Sequence, residues 1–202
     1  ASCRHRLSKE PPAVPDHHPR AATIRLLALD VDGVLTDGRI YYGNDGEELK
    51  AFNIKDGLGI KLLQSAGVEV AIITGRQSNI VTRRARELGI DRVVQGREDK
   101  RDALLELCRE RELQLEDCAY MGDDLPDLGA INSAGLGMTV ADASAAVSRA
   151  ADWRSTFNGG CGAVREACEA DGWQLPLAGG DDYEIYIWNI DSGVIKTQIV
   201  GK

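Results

Sequence analysis

Histidine is almost missing from this chain. His5, His17 and His18 are its three histidines in 202 residues, and all lie within the first 18. Chemistry carried out by the body of the protein therefore has no imidazole, which excludes serine–histidine and cysteine–histidine triads there. No apolar stretch approaches the ~20 residues needed to span a bilayer, so a membrane protein is not expected. The five cysteines are odd in number and none has metal-ligand spacing; they read as reduced thiols, as in a cytoplasmic protein. Positive charge is also short. The formal net charge of −8 argues against a general affinity for nucleic acid or anionic membrane, while leaving room for a small anionic substrate met by local basic groups.

What is present is an α/β pattern of a size suited to one domain. Residues 1–21 carry four prolines and three histidines without periodicity, and read as a disordered arm. From Thr23 onward, strand and helix patterns alternate. Ile24 to Leu29 is a buried strand. Arg39–Tyr42 and Glu47–Asn53 read as arms of a hairpin around Gly43-Asn44-Asp45-Gly46. Asp56 opens a helix with Leu58, Leu62 and Ala66 on one face and Gly67 at its end. Val68–Ile73, Arg92–Val94, Cys118–Met121 and Gly135–Val140 are further strands. Helices carry Ile80, Val81, Ala85 and Leu88, then Ala103, Leu104, Leu107 and Cys108 after a cap at Asp99. The alternation implies a parallel sheet with helices on both faces, and ligands bind such sheets beyond the carboxyl ends of the strands.

Residues unsuited to a core stand at those ends. Leu26-Leu27-Ala28-Leu29 runs into Asp30-Val31-Asp32-Gly33, and carboxylates at the tip of a buried strand need a partner. Thr74-Gly75-Arg76, Lys100, and Asp123-Asp124 with Asp127 follow later strands. Carboxylates gathered at one edge repel one another, and a hard divalent cation with oxygen ligands, Mg²⁺, resolves this. A metal, a lysine and a threonine hydroxyl make a site for a phosphoryl dianion. One aspartate can attack phosphorus and the other can move the proton.

These four motifs resemble those of the haloacid dehalogenase superfamily of phosphatases: Asp30 to Val34, Thr74, Lys100, and Gly122 to Asp127. A narrower resemblance covers roughly residues 24–170. It is carried by Asp30-Val31-Asp32-Gly33-Val34-Leu35-Thr36-Asp37-Gly38, Gly46-Glu47-Glu48-Leu49-Lys50-Ala51-Phe52, Ile72-Ile73-Thr74-Gly75-Arg76 and Gly159-Gly160-Cys161-Gly162-Ala163-Val164-Arg165-Glu166. These stretches look like the 3-deoxy-D-manno-octulosonate 8-phosphate phosphatases of lipopolysaccharide sugar synthesis. The resemblance implies a three-layer Rossmannoid domain over 22–177 with a β-hairpin flap at 39–53, no large cap domain, and assembly as a homotetramer. It implies that Asp30 is the nucleophile and a Mg²⁺ ligand, and that Asp32 is the general acid/base and a ligand through its carbonyl. Asp123 would be the third ligand. Thr74 and Gly75 would hold phosphoryl oxygens, Lys100 would offset charge, and Arg76 would meet the sugar-acid carboxylate. Asp124 and Asp127 stand behind the metal ligands, Asp124 supporting the metal's surroundings or orienting Lys100. The hairpin's Ile40, Tyr41, Tyr42, Leu49 and Phe52 are expected to bury against another subunit.

Three other readings compete. A related nonulosonate 9-phosphate or another sugar phosphate would keep the chemistry and change the substrate. A signalling receiver domain shares the residue types, but its acceptor aspartate ends the third strand, where this chain has Gln95-Gly96. A catalytically silent scaffold would keep the fold alone. Residues 178–202 depart from the family; Glu184–Val200 reads as a hairpin turning at Asp191-Ser192-Gly193.

Overall fold

The computed structural model describes residues 19–170, 173, 185–189 and 194–199. Most of the expected arm, and the turn of the tail hairpin, lie outside these residues. Pro19–Thr23, within the stretch read as arm, forms one helical turn that buries Ala21. Arg20 anchors this turn by donating to the Gly135 carbonyl at 2.8 Å and pairing with Asp152.

Six parallel strands make one sheet: β1 (Leu26–Leu29), β4 (Glu69–Thr74), β5 (Arg92–Gln95), β6 (Cys118–Gly122), β7 (Leu136–Thr139) and β8 (Trp153–Arg154). Their spatial order is β5-β4-β1-β6-β7-β8. Strand β1 is central, with Ala28 in register with Ala71 of β4 and Tyr120 of β6. The chain winds outward from it in both directions. The switch between those directions therefore falls at β1, the place where such sheets bind ligands. Strand β8 was not expected; two residues are too few to show a period.

Side chains alternate across the sheet and feed two cores. Leu27 and Leu29 pack with Ile60, Leu63, Val81, Ala85, Leu88 and Ala163. These last belong to α1 (Ile54–Ser65), α2 (Asn79–Leu88) and α6 (Ala163–Glu169). Leu26 and Ala28 pack with Leu104, Leu107, Ile131 and Val147, from α3 (Lys100–Glu110), α4 (Leu128–Ser133) and α5 (Ala145–Ala150). The result is the three-layer α/β architecture read from the alternation.

Helix α1 corrects the sequence reading twice. Its cap is Asn53, whose side chain accepts from the Lys55 amide at 2.9 Å. Asp56 lies inside the helix, buried, and accepts from the Arg165 amide at 2.8 Å, fastening α6 to α1. Burial raises its pKa, with the amides of Arg165 and Gly162 opposing. The buried face is Gly59, Ile60 and Leu63, whereas Leu58 is 53% and Leu62 46% exposed. Asp99 likewise does not cap α3 with its side chain; its carboxylate is held by Arg97 at 2.7 and 2.8 Å, and its carbonyl accepts from the Asp102 and Ala103 amides.

The hairpin is shorter than expected. Strand β2 (Tyr41–Tyr42) pairs with β3 (Glu48–Leu49) through two registers. Phe52 packs on this chain's own core beneath Arg84, while Tyr41, Tyr42 and Leu49 are exposed. In the tail, β9 (Ile185–Asn189) and β10 (Val194–Ile199) pair antiparallel. Among the described residues no helix is long and apolar enough to cross a membrane. Cys108, Cys118 and Cys168 are free and buried.

Ile60, fully buried on α1, tests the corrected helix face. Ile60→Ala should destabilise the fold by about 2–5 kcal/mol, read as a lower urea midpoint at unchanged slope.

Candidate active site

The Asp30 amide, at the end of β1, donates to the Met121 carbonyl at 3.0 Å. Residues Val31–Leu35 then turn irregularly, with Asp32 extended and Gly33 at φ +91°. A Cβ at Gly33 would stand 2.1 Å from an Asp123 carboxylate oxygen, so the turn requires glycine both for its conformation and for its approach to the next acidic loop. Thr36 closes the turn: its amide donates to the Val31 carbonyl at 3.0 Å, and its hydroxyl accepts from the Gly38 amide at 3.2 Å.

Lys100 begins α3 and points into this edge. Its ammonium lies 2.7 Å from Asp30 Oδ2 and 2.7 Å from Asp127 Oδ1, almost fully buried. Burial alone lowers the lysine pKa, but the two carboxylates outweigh it and the net shift is upward. Arg97 and Arg101, its basic neighbours in sequence, turn away, Arg97 to Asp99 and Glu106 and Arg101 to Asp102 and Ser133. Asp127 is 1% exposed, and both its oxygens are occupied. Oδ1 accepts from Lys100 and from the Tyr120 hydroxyl at 2.7 Å; Oδ2 accepts from the Asp123 and Asp124 amides at 3.0 and 3.1 Å. Gly122 leaves the room for this, since a Cβ there would lie 2.4 Å from that of Asp127. Lys100 is thus oriented by Asp127 and Asp30 and not by Asp124, whose side chain is exposed.

One carboxylate oxygen from each of Asp30, Asp123 and Asp127 lies within 4.8 Å of the others. Asp127 is saturated by protein donors, whereas Asp30 Oδ1 is buried with no hydrogen-bond partner. A buried carboxylate oxygen without a partner, in a residue that clusters with Asp123, suits a hard cation, so the residues present fit a divalent ion with oxygen ligands. Burial, then the charge on Asp127, pushes the Asp30 pKa up to about 6 despite Lys100. Burial, then Asp30 and Asp127, pushes Asp123 to about 7. The Asp32 side chain is not in this group.

Thr74 is buried at the end of β4, and Gly75 and Arg76 follow it. Arg76 reaches back over the edge. It donates to the Tyr42 hydroxyl at 3.3 Å and lies 3.5 Å from Glu48 and 3.8 Å from Asp32 Oδ2. Lys50, just after β3, donates to Asp32 Oδ1 and lies 3.5 Å from Glu48. The hairpin therefore sits against Asp32 and Arg76 of its own chain. Lys50, Glu48 and Tyr120 were not singled out in the sequence. The available signal was the alternation Glu48-Leu49-Lys50, which puts both charges on one face of a strand.

Raised carboxyl pKa values have a consequence for stability. Asp30 and Asp123 hold protons in the fold at pH values where the unfolded chain has lost them. Stability of the metal-free protein should therefore fall as pH rises from about 4 to about 7. A divalent cation replaces those protons, so MgCl₂ should raise the Tm more at about pH 7.5 than at about pH 5. Thermal melts with and without EDTA measure this.

A family model for haloacid dehalogenase-like hydrolases matches residues 55–135. The chain is 48% identical over 158 residues, 78% of its own length and 84% of the relative's, to 3-deoxy-D-manno-octulosonate 8-phosphate phosphatase KdsC of Yersinia pestis. The crystal structure of the Moraxella catarrhalis 3-deoxy-D-manno-octulosonate 8-phosphate phosphatase, in complex with magnesium, phosphate and KDO, is 48% identical. It superposes with a TM-score of 0.73 over 74% of this chain and 86% of that one. A probable YrbI family phosphatase from Pseudomonas syringae is 51% identical with a TM-score of 0.76, over 78% and 90% of the two chains. On this identity, over most of the length of its relatives, the chain belongs to the 3-deoxy-D-manno-octulosonate 8-phosphate phosphatase family of haloacid dehalogenase-like hydrolases.

Proposed function

We propose that the chain hydrolyses 3-deoxy-D-manno-octulosonate 8-phosphate to the free sugar acid and phosphate, in cytoplasmic synthesis of lipopolysaccharide precursors. The observation that carries this is the state of Asp30. One of its oxygens is held by buried Lys100 and the other is buried and unpartnered, in a residue that clusters with Asp123 and Asp127.

Asp30 attacks phosphorus. As the new P–O bond forms, the bond to the sugar oxygen breaks, and that oxygen takes a proton from Asp32. Water then attacks the aspartyl phosphate, Asp32 takes its proton, and phosphate leaves with Asp30 restored. Thr74 and the Gly75 backbone hold phosphoryl oxygens. Lys100 balances charge on the nucleophile, and Asp127 keeps Lys100 in place. Asp30, the Asp32 carbonyl and Asp123 would hold Mg²⁺, which supplies neutralisation of the phosphoryl charge. Arg76, at the hairpin's edge, meets the sugar-acid carboxylate, which a guanidinium matches with two parallel hydrogen bonds.

The chain works as a homotetramer in this reading. Tyr41, Tyr42 and Leu49 on the hairpin are exposed, and Ile54, Leu58 and Leu62 continue as an exposed stripe at helical spacing on α1. So much apolar surface on adjoining elements is what a subunit contact covers.

Asp30→Asn should lower phosphate release on the order of 10³-fold or more, with the circular-dichroism spectrum unchanged; wild-type turnover in that variant would remove the nucleophile. A panel of sugar phosphates assayed with MgCl₂ should place 3-deoxy-D-manno-octulosonate 8-phosphate first by kcat/KM, and a preference for a nine-carbon acid would reassign the substrate. Leu58→Asp should give a smaller particle by sedimentation while keeping its helical signal; unchanged size would remove the α1 stripe from the contact.

A further inference from the structure

Lys50 is the one hairpin residue whose charged end is fully buried and touches a group assigned to the chemistry. Its side chain is 0% exposed, and its ammonium pairs with Asp32 Oδ1 and stands 3.5 Å from Glu48. Burying an ammonium costs several kcal/mol unless it is paired. Glu48, on the same hairpin, is the more distant partner, and its Oε1 makes no hydrogen bond. The contact with Asp32 crosses from the hairpin to the loop after β1 and has no part in holding β2 to β3. On the far side, Arg76 approaches the other Asp32 oxygen at 3.8 Å, but its side chain is 43% exposed. The Asp32 carboxylate therefore lies between two cations, of which only Lys50 is excluded from solvent.

We propose that Lys50 is a positioning residue for the proton transfer: by gripping Asp32 Oδ1 it fixes the carboxylate's rotamer. The hairpin thereby helps to bring the proton donor into line. The inference rests on the assignment of Asp32 as general acid. In the first half-reaction, the Asp30–phosphorus bond forms and the phosphorus–oxygen bond to the leaving group breaks. That oxygen receives the proton of Asp32, leaving Asp32 as a carboxylate against the Lys50 ammonium. Lys50 keeps its own protons throughout. A transfer of this kind depends on geometry at the level of an ångström, where misplacement costs about 10²-fold.

The distinguishing readout is the dependence of kcat/KM on the leaving group, measured on the Mg²⁺-loaded enzyme with substituted phenyl phosphates, enzyme in excess. These probes carry no sugar carboxylate, so direct substrate binding by Lys50 does not enter. Acidic phenols leave without a proton, and weakly acidic ones need it. Lys50→Met retains the buried stem, so folding is preserved, as thermal melts will check. It should lose about 10²-fold on the least acidic phenol and under about threefold on the most acidic. Lys50→Arg should recover most of that loss. Asp32→Asn should show the same steepened dependence, and Lys50→Met added to Asp32→Asn should cost little more, because both act on one step. A uniform loss across all phenols, or independent multiplication with Asp32→Asn, would overturn the role of Lys50 and leave Asp32 as general acid. An unsteepened Asp32→Asn would instead show that Asp32 is not the donor, and this inference would fall with it.

Discussion

Lys100 lies 2.7 Å from two carboxylates at the carboxyl edge of the sheet, and charge balance there governs the rest of the site. Asp127 has its charge met by Lys100, the Tyr120 hydroxyl and two backbone amides. What is left over is negative and falls on Asp30 and Asp123. Both are pushed toward neutrality by burial and by the charge on Asp127, with Asp30 adding to the push on Asp123, and Lys100 is too few charges to cover them. A protein edge in this state binds protons at low pH and suits a divalent cation above it. Lys100 belongs to the hydrophobic architecture as much as to the chemistry, since it opens a helix whose Ala103, Leu104 and Leu107 fill the core on one side of the sheet.

Much of this was legible because a buried strand that ends in charge is a conflict visible in sequence. Asp30 after Leu26–Leu29, and Asp123 after Cys118–Gly122, stand where the apolar run stops, and the parallel sheet brings strand tips together without further information. The choice of Lys100 over Arg97 and Arg101 was less secure in sequence. The three differ by where α3 begins and by the local partners Asp99 and Glu106, which draw Arg97 away.

Helix α1 was misread for a different reason. It carries apolar residues nearly all round, Ile54, Leu58 and Leu62 along one line and Ile60 and Leu63 along another. Periodicity then cannot say which line faces inward. The deciding feature is Gly59, where a Cβ would sit 3.0 Å from the Arg165 backbone. The close approach of α6 selects the side with no side chain. Asp56 reads as a helix start from sequence, yet serves as a cap for a different helix, 109 residues away. Long-range capping leaves no local signature.

The hairpin is the part that sequence placed but did not orient. Two ladder pairs are too few to hold a ribbon in water, so its position must come from what it touches. On this chain those contacts are polar: Tyr42 and Glu48 to Arg76, and Lys50 to Asp32. Its apolar residues Tyr41 and Leu49 face outward. The site is therefore built from two unlike materials. Its base is fixed by the packed strands β1, β4 and β6. Its cover is held by ion pairs to Asp32 and Arg76. In the function proposed above, an incoming phosphate ester with its own carboxylate would draw on Arg76 and add negative charge beside Asp32, exchanging protein–protein ion pairs for protein–ligand ones at little net cost. The hairpin thus depends on charge, and the strands beneath it on packing.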